Sequence, residues 1–467
     1  MDNKGDFVLS VVKNKEYILK IEDNGFNGEG IGKINNFTVF VPNAIKGEVV
    51  KVLIIKVTSS YAIGKIIEIV KKSQHRVSEL DCETYMKCGG CNLRHMDYDY
   101  TLELKKNIGI NCLDKEKICD VNVGNTIGMG NPYNYRNKLQ YPVGLDKEGN
   151  PVMGVYSRRS HDIIKNNLCS IQNLKANIIA RDAFEYLVKD GYKAYNEKNQ
   201  SGDIRHIVVR NGNISNEVML IIVMNNKKIN ISKKFVEYIT KKYNCIDTIV
   251  VNYNLENTNV IFGKENKNIF GNGYIYDILG DYKFKISPLS FYQVNSVQAE
   301  VLYELAIEKA NINNNDVVLD LYCGIGTIGI FASKYAKRVY GVEIVEDAIN
   351  DANENAKINN IKNIQFFCGD VEKILDDTLN KINDKPNIVF VDPPRKGLDK
   401  NTISILNKIK PSKIIYISCN PATLARDIKL LISDNYSVNY VQPVDMFPFT
   451  SHVECVSVLK LKETIEK

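Results

Sequence analysis

Tryptophan is absent from the 467-residue sequence, in which lysine, isoleucine and asparagine abound. That bias is compositional and carries no functional content. No uninterrupted apolar run reaches the roughly 18–20 residues that a membrane span needs. The start, MDNKGDFVLSVVKNKEYI, makes a poor export signal, because it has acids and only a short apolar stretch. A cytoplasmic location without a membrane partner is the resulting expectation. Neither charge sign dominates. Sixty-one Lys+Arg against 55 Asp+Glu leave a formal +6, which permits an RNA or DNA partner without establishing one. Charged residues at 25% and hydrophobic ones at 44% argue against global disorder. Fixed-period repeats and low-complexity tails are also missing. Eleven cysteines are an odd count with no export context, so a disulfide framework is not expected and spacing must decide which thiols do chemistry.

The length fits about three domains at roughly 150 residues each. Residues 1–72 read as short strands (YILKIEDNGF, GIGKINNFTVFVPN, GEVVKVLIIKV, AIGKIIEIVKK) separated by Gly, Asn and Ser turns. Several strands in so short a span predict a small barrel of the oligonucleotide-binding kind. Residues 73–95 hold a cysteine cluster with few apolar residues, and residues up to 285 mix strands and helices. HIVVRNG, EVMLIIVMN, DTIVVNYN and YKFKIS read as strands, and IIARDAFEYLVKDGY as a helix. From residue 286 the pattern becomes regular β/α alternation: VVLDLYC, RVYGVEI, IQFFCGD, NIVFVDPP and KIIYISCN alternate with helical stretches. Short buried strands alternating with helices imply a doubly wound, Rossmann-like parallel sheet and an α/β fold class. The ending reads as two further strands forming an antiparallel edge.

The motifs of this last domain describe a nucleotide-type site. Asp320-Leu-Tyr-Cys-Gly324-Ile-Gly326-Thr327 follows the first strand and opens a helix. Glu343 lies 23 residues beyond Asp320 at the end of the second strand, where a carboxylate can accept both ribose hydroxyls. Asp370 ends the third strand, placed for an adenine edge, and Asp392-Pro-Pro-Arg395 ends the fourth. This order of acids resembles S-adenosylmethionine-dependent methyltransferases, and it differs from the dinucleotide fingerprint.

Strand five ends in Ser418-Cys419-Asn420-Pro421, where side chains face the ligand crevice. A thiolate there suits covalent catalysis. Carbon 5 of uracil is a poor nucleophile until a thiolate adds to carbon 6 and creates an enolate. A base must then take the carbon-5 proton. Glu454, in Ser451-His452-Val453-Glu454-Cys455, is the best-placed carboxylate, and His452 could assist. The competing readings are a buried structural cysteine and a solvated strand glutamate.

Cys82-x5-Cys88-Gly-Gly-Cys91 gathers three thiols in one loop, with Cys169 a plausible fourth ligand. Four thiolates suit either zinc or a [4Fe-4S] cluster, and spacing leaves both open. Cys112, Cys119 and Cys245 read as ordinary buried thiols. Cys323, Cys368 and Cys455 read as core filler.

Together these pieces resemble the bacterial RNA uracil-5-methyltransferase family, in particular its 23S ribosomal RNA members, over nearly the full length. GEGIGKINNFTVFVPNAIKGEVV resembles a TRAM domain, an RNA-binding barrel. HRVSELDCETYMKCGGCNLRHMDY resembles the family's iron–sulfur segment, which implies Cys82, Cys88, Cys91 and Cys169 as ligands of a [4Fe-4S] cluster. SPLSFYQVN, DLYCGIGT, VEI, FCGD and VDPPRKG resemble its cofactor and substrate loops, YISCNPATLARDI its nucleophile motif and FPFTSHVECV the motif of its base. The resemblance thus implies Cys419 as nucleophile and Glu454 as base. It also implies Gln293, Tyr322, Glu343, Asp370 and Asp392 around the methyl donor S-adenosylmethionine. Tyr322 stands where many members have Phe, and Thr327 where many have Asn. The implied domains are 1–72 (TRAM), 73–285 (α+β central domain with the iron–sulfur loop) and 286–467 (catalytic). Segment 97–124 is expected to pack on the catalytic domain. Transfer-RNA members commonly lack the barrel and the cluster, so the resemblance favours 23S ribosomal RNA as partner over transfer RNA. It implies no protein partner.

Overall fold

The structure, a computed structural model, describes residues 11–382 and 384–462. The first ten positions of the expected barrel domain, most of the stretch weighed as an export signal, and the last five positions lie outside the described residues.

Five strands close into a barrel in the order Glu16–Asn24, Gly30–Ile34, Phe37–Val41, Tyr61–Lys71 and Val49–Val57. Alternating side chains such as Leu19, Ile21, Val39, Val41, Val50, Val52 and Ile54 fill its interior. The sequence reads GIGKINNFTVFVPN as one β segment, whereas the structure divides it into a hairpin. Asn35 and Asn36 take left-handed φ values of 49° and 63°, which a tight two-residue hairpin turn requires.

The helix Tyr98–Lys115 follows the cysteine loop, capped where the Tyr100 N–H donates to the Asp97 carboxylate at 2.8 Å. Tyr100, Leu104, Ile108, Cys112 and Leu113 join the core of the last domain, alongside Leu424, Ile428, Leu431 and Val441. The two-residue strand Asn122–Val123 then pairs in parallel with Tyr436–Val444. Structurally, this early segment belongs to the last sheet.

A seven-stranded sheet forms the middle of the molecule, in the order Glu265–Phe270, Ile246–Tyr253, Val218–Met224, Ile204–Asn211, Lys138–Leu145, Pro151–Tyr156 and Ile163–Lys165. Its central strands are buried on both faces. Ile207 and Val209 meet the helices Leu174–Lys189 and Lys233–Lys242, while Val208, Met219 and Ile221 pack toward Phe284, Ala299 and Leu302. YKFKIS forms a strand, Tyr282–Ile286, but it pairs with Ile275–Leu279 in a separate hairpin and not with the central sheet.

The last sheet runs Ile364–Cys368, Arg338–Glu343, Val317–Leu321, Ile388–Val391, Lys413–Ser418, Glu454–Leu461, Tyr436–Val444, Asn122–Val123. Its first five strands are parallel, and strand order reverses between Val317–Leu321 and Ile388–Val391. A crevice opens at the carboxyl ends of parallel strands at such a reversal. The expected antiparallel ending forms, but it is not the edge. The final strand inserts beside Lys413–Ser418, and Asn122–Val123 makes the outer border. Among the described residues no helix is long and apolar enough to cross a membrane.

Three thiols depart from the expected burial. Cys119 and Cys368 are exposed and Cys245 is half-buried, whereas Cys112, Cys323 and Cys455 are buried as expected. Cys368 is the last residue of its strand and Cys119 follows a helix end, so neither has a second layer above it.

Candidate active site

The crevice is a cavity of about 840 Å³. Gln293, Tyr322, Glu343, Asp370, Asp392, Cys419 and Glu454 all line it, although they come from seven separate segments.

Its floor is the turn after Val317–Leu321. Tyr322 sits at a left-handed φ of 64°, and Gly324 and Gly326 follow at 54° and 81°. A Cβ on Gly326 would come within 2.7 Å of the Phe366 ring, so only glycine fits there. Asp320 supports the turn from behind, accepting from the Gly329 N–H at 2.8 Å, and burial pushes its carboxyl up to about 8. Glu343 is held from both sides. One oxygen accepts from the Gly324 N–H at 3.2 Å and the other from the Val345 N–H at 2.9 Å. Asp370 caps the helix Val371–Lys381, accepting from the Glu372 N–H at 3.2 Å.

Strand register explains the meeting of Cys419 and Glu454. Ser418 pairs with Cys455 in an antiparallel ladder, so one step further sets Cys419 opposite Glu454. Burial pushes the Glu454 carboxyl up to about 8. Asp392 adds to the rise, and Arg395 opposes it. Burial likewise lifts Asp392 to about 7. The Cys419 thiol rises to about 11, through burial first and then the negative fields of Glu454 and Asp392, again against Arg395. A buried, acidic pocket thus raises all three groups. His452 sits on the rim, its imidazole pKa lowered by burial and by the cations Arg395, Lys105 and Arg136.

Two cavity residues escaped the sequence reading. Arg395 belongs to the quoted Asp-Pro-Pro-Arg motif but had no role there; it is the cation that faces both Cys419 and Glu454. Tyr303, on the helix Ser296–Ala310, lies beside Asp392, Thr327 and Gln293. No local motif marks it.

The four expected cysteine ligands lie apart from the crevice, near enough to feel one another's charge. Cys88 feels the charge of Cys82, Cys91 that of Cys169 and Cys88, and Cys169 that of Cys88 and Cys82. Burial is the largest cause raising Cys88, Cys91 and Cys169, with Cys91 reaching about 12. Arg158 shapes the loop, donating to the carbonyls of Cys88 at 2.8 Å, Cys91 at 3.0 Å and Tyr85 at 3.1 Å. Among the described residues no three His, Cys, Asp or Glu side chains converge into a ready-made single-ion centre.

A Rossmann-like sheet with these acids at its strand ends defines an S-adenosylmethionine-dependent methyltransferase. A family profile described as tRNA (Uracil-5-)-methyltransferase matches residues 258–462, and a TRAM domain profile matches residues 11–67. A protein of Clostridium tetani is 44% identical over 97% of each chain, and one of Clostridium acetobutylicum is 44% identical over 97% of this chain and 98% of its own. Both are named as uncharacterized RNA methyltransferases. The chain belongs to the RNA (uracil-5-)-methyltransferase family. Among solved structures, a tRNA (uracil-54, C5)-methyltransferase from Pyrococcus abyssi bound to S-adenosyl-L-homocysteine is similar at a TM-score of 0.76 and 26% identity, covering 95% of this chain and 100% of that one.

Proposed function

We propose that the protein methylates carbon 5 of specific uridines in 23S ribosomal RNA, with Cys419 as nucleophile and Glu454 as base. The observation that carries this is the antiparallel register that faces the Cys419 thiol with a protonatable carboxyl inside the donor crevice. Bound S-adenosylmethionine supplies an electrophilic methyl group. Glu343 would hold its ribose and Asp370 its adenine edge, with Gln293, Tyr322 and Asp392 around the remainder. A flipped uracil enters beside Cys419. The Cys419 thiol loses its proton and the thiolate bonds to carbon 6; carbon 5 then takes the methyl group as the donor's sulfur–methyl bond breaks, leaving S-adenosyl-L-homocysteine. Glu454 then removes the carbon-5 proton. Those electrons restore the double bond and expel the thiolate. A base whose pKa lies near 8 is well matched to this proton transfer.

Cys82, Cys88, Cys91 and Cys169 would hold a [4Fe-4S] cluster. Their soft donors, partial burial and mutual proximity support this. The barrel and central domain would hold RNA backbone and unstacked bases.

The barrel together with the cysteine loop supports the ribosomal substrate. The Pyrococcus similarity favours transfer RNA as a second reading, because a match over 95% of this chain must extend into the barrel. The test is anaerobic incubation of purified protein with labelled S-adenosylmethionine and separate unmodified 23S rRNA and tRNA, followed by nucleoside analysis. 5-Methyluridine from rRNA alone is expected, and label in tRNA alone would replace the substrate. Full activity in Cys419→Ala would overturn the mechanism.

A further inference from the structure

The cysteine loop does more than gather thiols: it grips the segment that delivers Glu454. Asn92 directly follows Cys91 and makes a two-sided contact with Ser451, 359 positions away. Its side-chain amide donates to the Ser451 hydroxyl at 2.9 Å, and its carbonyl oxygen accepts from the Ser451 N–H at 2.9 Å. The same amide donates to the Asn27 carbonyl at 2.6 Å, so the barrel is tied in as well. The Asn92 and Leu93 backbone N–H groups both donate to the Phe449 carbonyl, at 3.1 and 3.0 Å. Phe449 is buried at a left-handed φ of 64°, a conformation a bulky residue keeps only under external constraint. The Arg94 guanidinium caps its ring at 4.1 Å while pairing with Asp81.

We propose that Asn92 is a positioning residue for Glu454. It acts through Ser451 and the left-handed turn at Phe449 to set where the carboxyl meets the carbon-5 proton. This rests on the reading of Glu454 as base. The cysteine loop thereby becomes part of the proton-transfer geometry. Asn92 acts late in the reaction. Addition of Cys419 to carbon 6 and methylation at carbon 5 precede the step it supports. Removal of the carbon-5 proton, with re-formation of the double bond and departure of the thiolate, depends on it. Misplacing a reacting group by about 1 Å lowers a rate by roughly 10²-fold.

The test separates the two halves of the reaction in the full-length, anaerobically purified protein. Unmodified 23S rRNA and tRNA transcripts are made with uridine or with 5-fluorouridine, which has no carbon-5 proton to lose and so retains the methylated adduct. Asn92→Ala is expected to form the denaturant-resistant 5-fluorouridine adduct within about threefold of the wild-type rate. On uridine RNA its turnover should fall about 10²-fold, with covalent adduct accumulating. Asn92→Asp, which keeps the acceptor for the Ser451 N–H, should fall in between. In a Glu454→Gln background, Asn92→Ala should add no further loss of release. Equal loss of adduct formation and turnover in both Asn92 variants, or unchanged turnover, would overturn the proposal. If Glu454→Gln itself releases product normally, the reading of the base fails instead.

Discussion

Asp445 and Glu454 stand nine residues apart at the two ends of one connection, both buried, and the protein treats them in opposite ways. Asp445 faces backward into a brace. It accepts from the Tyr98 hydroxyl at 2.7 Å and pairs with fully buried Lys105, whose ammonium also donates to the Phe447 carbonyl at 3.1 Å. Glu454 faces the crevice, where burial and Asp392 push its pKa up and only Arg395 opposes them. The brace gives Asp445 a cation and a hydroxyl donor, although burial still lowers the Lys105 pKa, whereas in the crevice Arg395 alone opposes the rise at Glu454. Buried charge is therefore informative about role only once its partners are known.

The largest effect that would break this contrast is chemical. Glu454→Gln should lower 5-methyluridine formation by about 10²–10⁴-fold and leave RNA covalently attached, as a gel of denatured complexes would reveal. In the wild type the ionised carboxylate accepts the proton, so the rate should rise with pH through about 8. The stability sign is opposite. The folded state keeps a proton that the unfolded chain releases near 4.5, so this group's stabilisation falls as pH climbs from there toward about 8. The slope is at most ~1.4 kcal/mol per pH unit. Urea titrations across that range should show a flatter dependence in the Gln variant. The variant also removes a negative neighbour from Cys419, so its thiol should alkylate faster with iodoacetamide at pH 8 than the wild type does. An unchanged alkylation rate would mean that Glu454 does not face the thiol.

The next effect is structural and belongs to the brace. Lys105→Met strands the Asp445 carboxylate without its cation and should cost about 3–5 kcal/mol in urea unfolding. Adding Asp445→Asn should recover part of that loss, because the two residues act as one unit. If Lys105→Met unfolds like the wild type, the pair is no brace and the contrast with Glu454 collapses.

The crevice was legible in the sequence and the brace was not, for a physical reason. Glu343 ends a strand and Asp370, Asp392 and Cys419 follow one within two residues, so a local pattern of apolar run plus polar terminus announces them. The helix Tyr98–Lys115 buries Thr101, Lys105 and Gly109 along with its apolar residues, which blurs its periodic face. Its key partner is 340 residues away. The helix Lys233–Lys242 was likewise hidden, because only Phe235 and Ile239 are buried in an otherwise polar stretch. Tyr303 and Arg158 act through tertiary contacts that no local spacing encodes. The cysteine assignments failed where burial depended on what lies above a strand end, as at Cys368.

The smallest effect sharpens the contrast by using one residue type at two places in the same sheet. Cys455 is wholly buried behind the Cys419 strand, paired in register with Ser418. Cys368 ends its strand in the open. Serine is nearly isosteric but carries a hydroxyl that needs a partner when dry. Cys455→Ser should therefore lower stability by about 1–3 kcal/mol, whereas Cys368→Ser should stay within about 0.5 kcal/mol of the wild type, both read from urea midpoints. Equal effects at the two positions would mean that the sheet beside Cys419 is as open as its far edge.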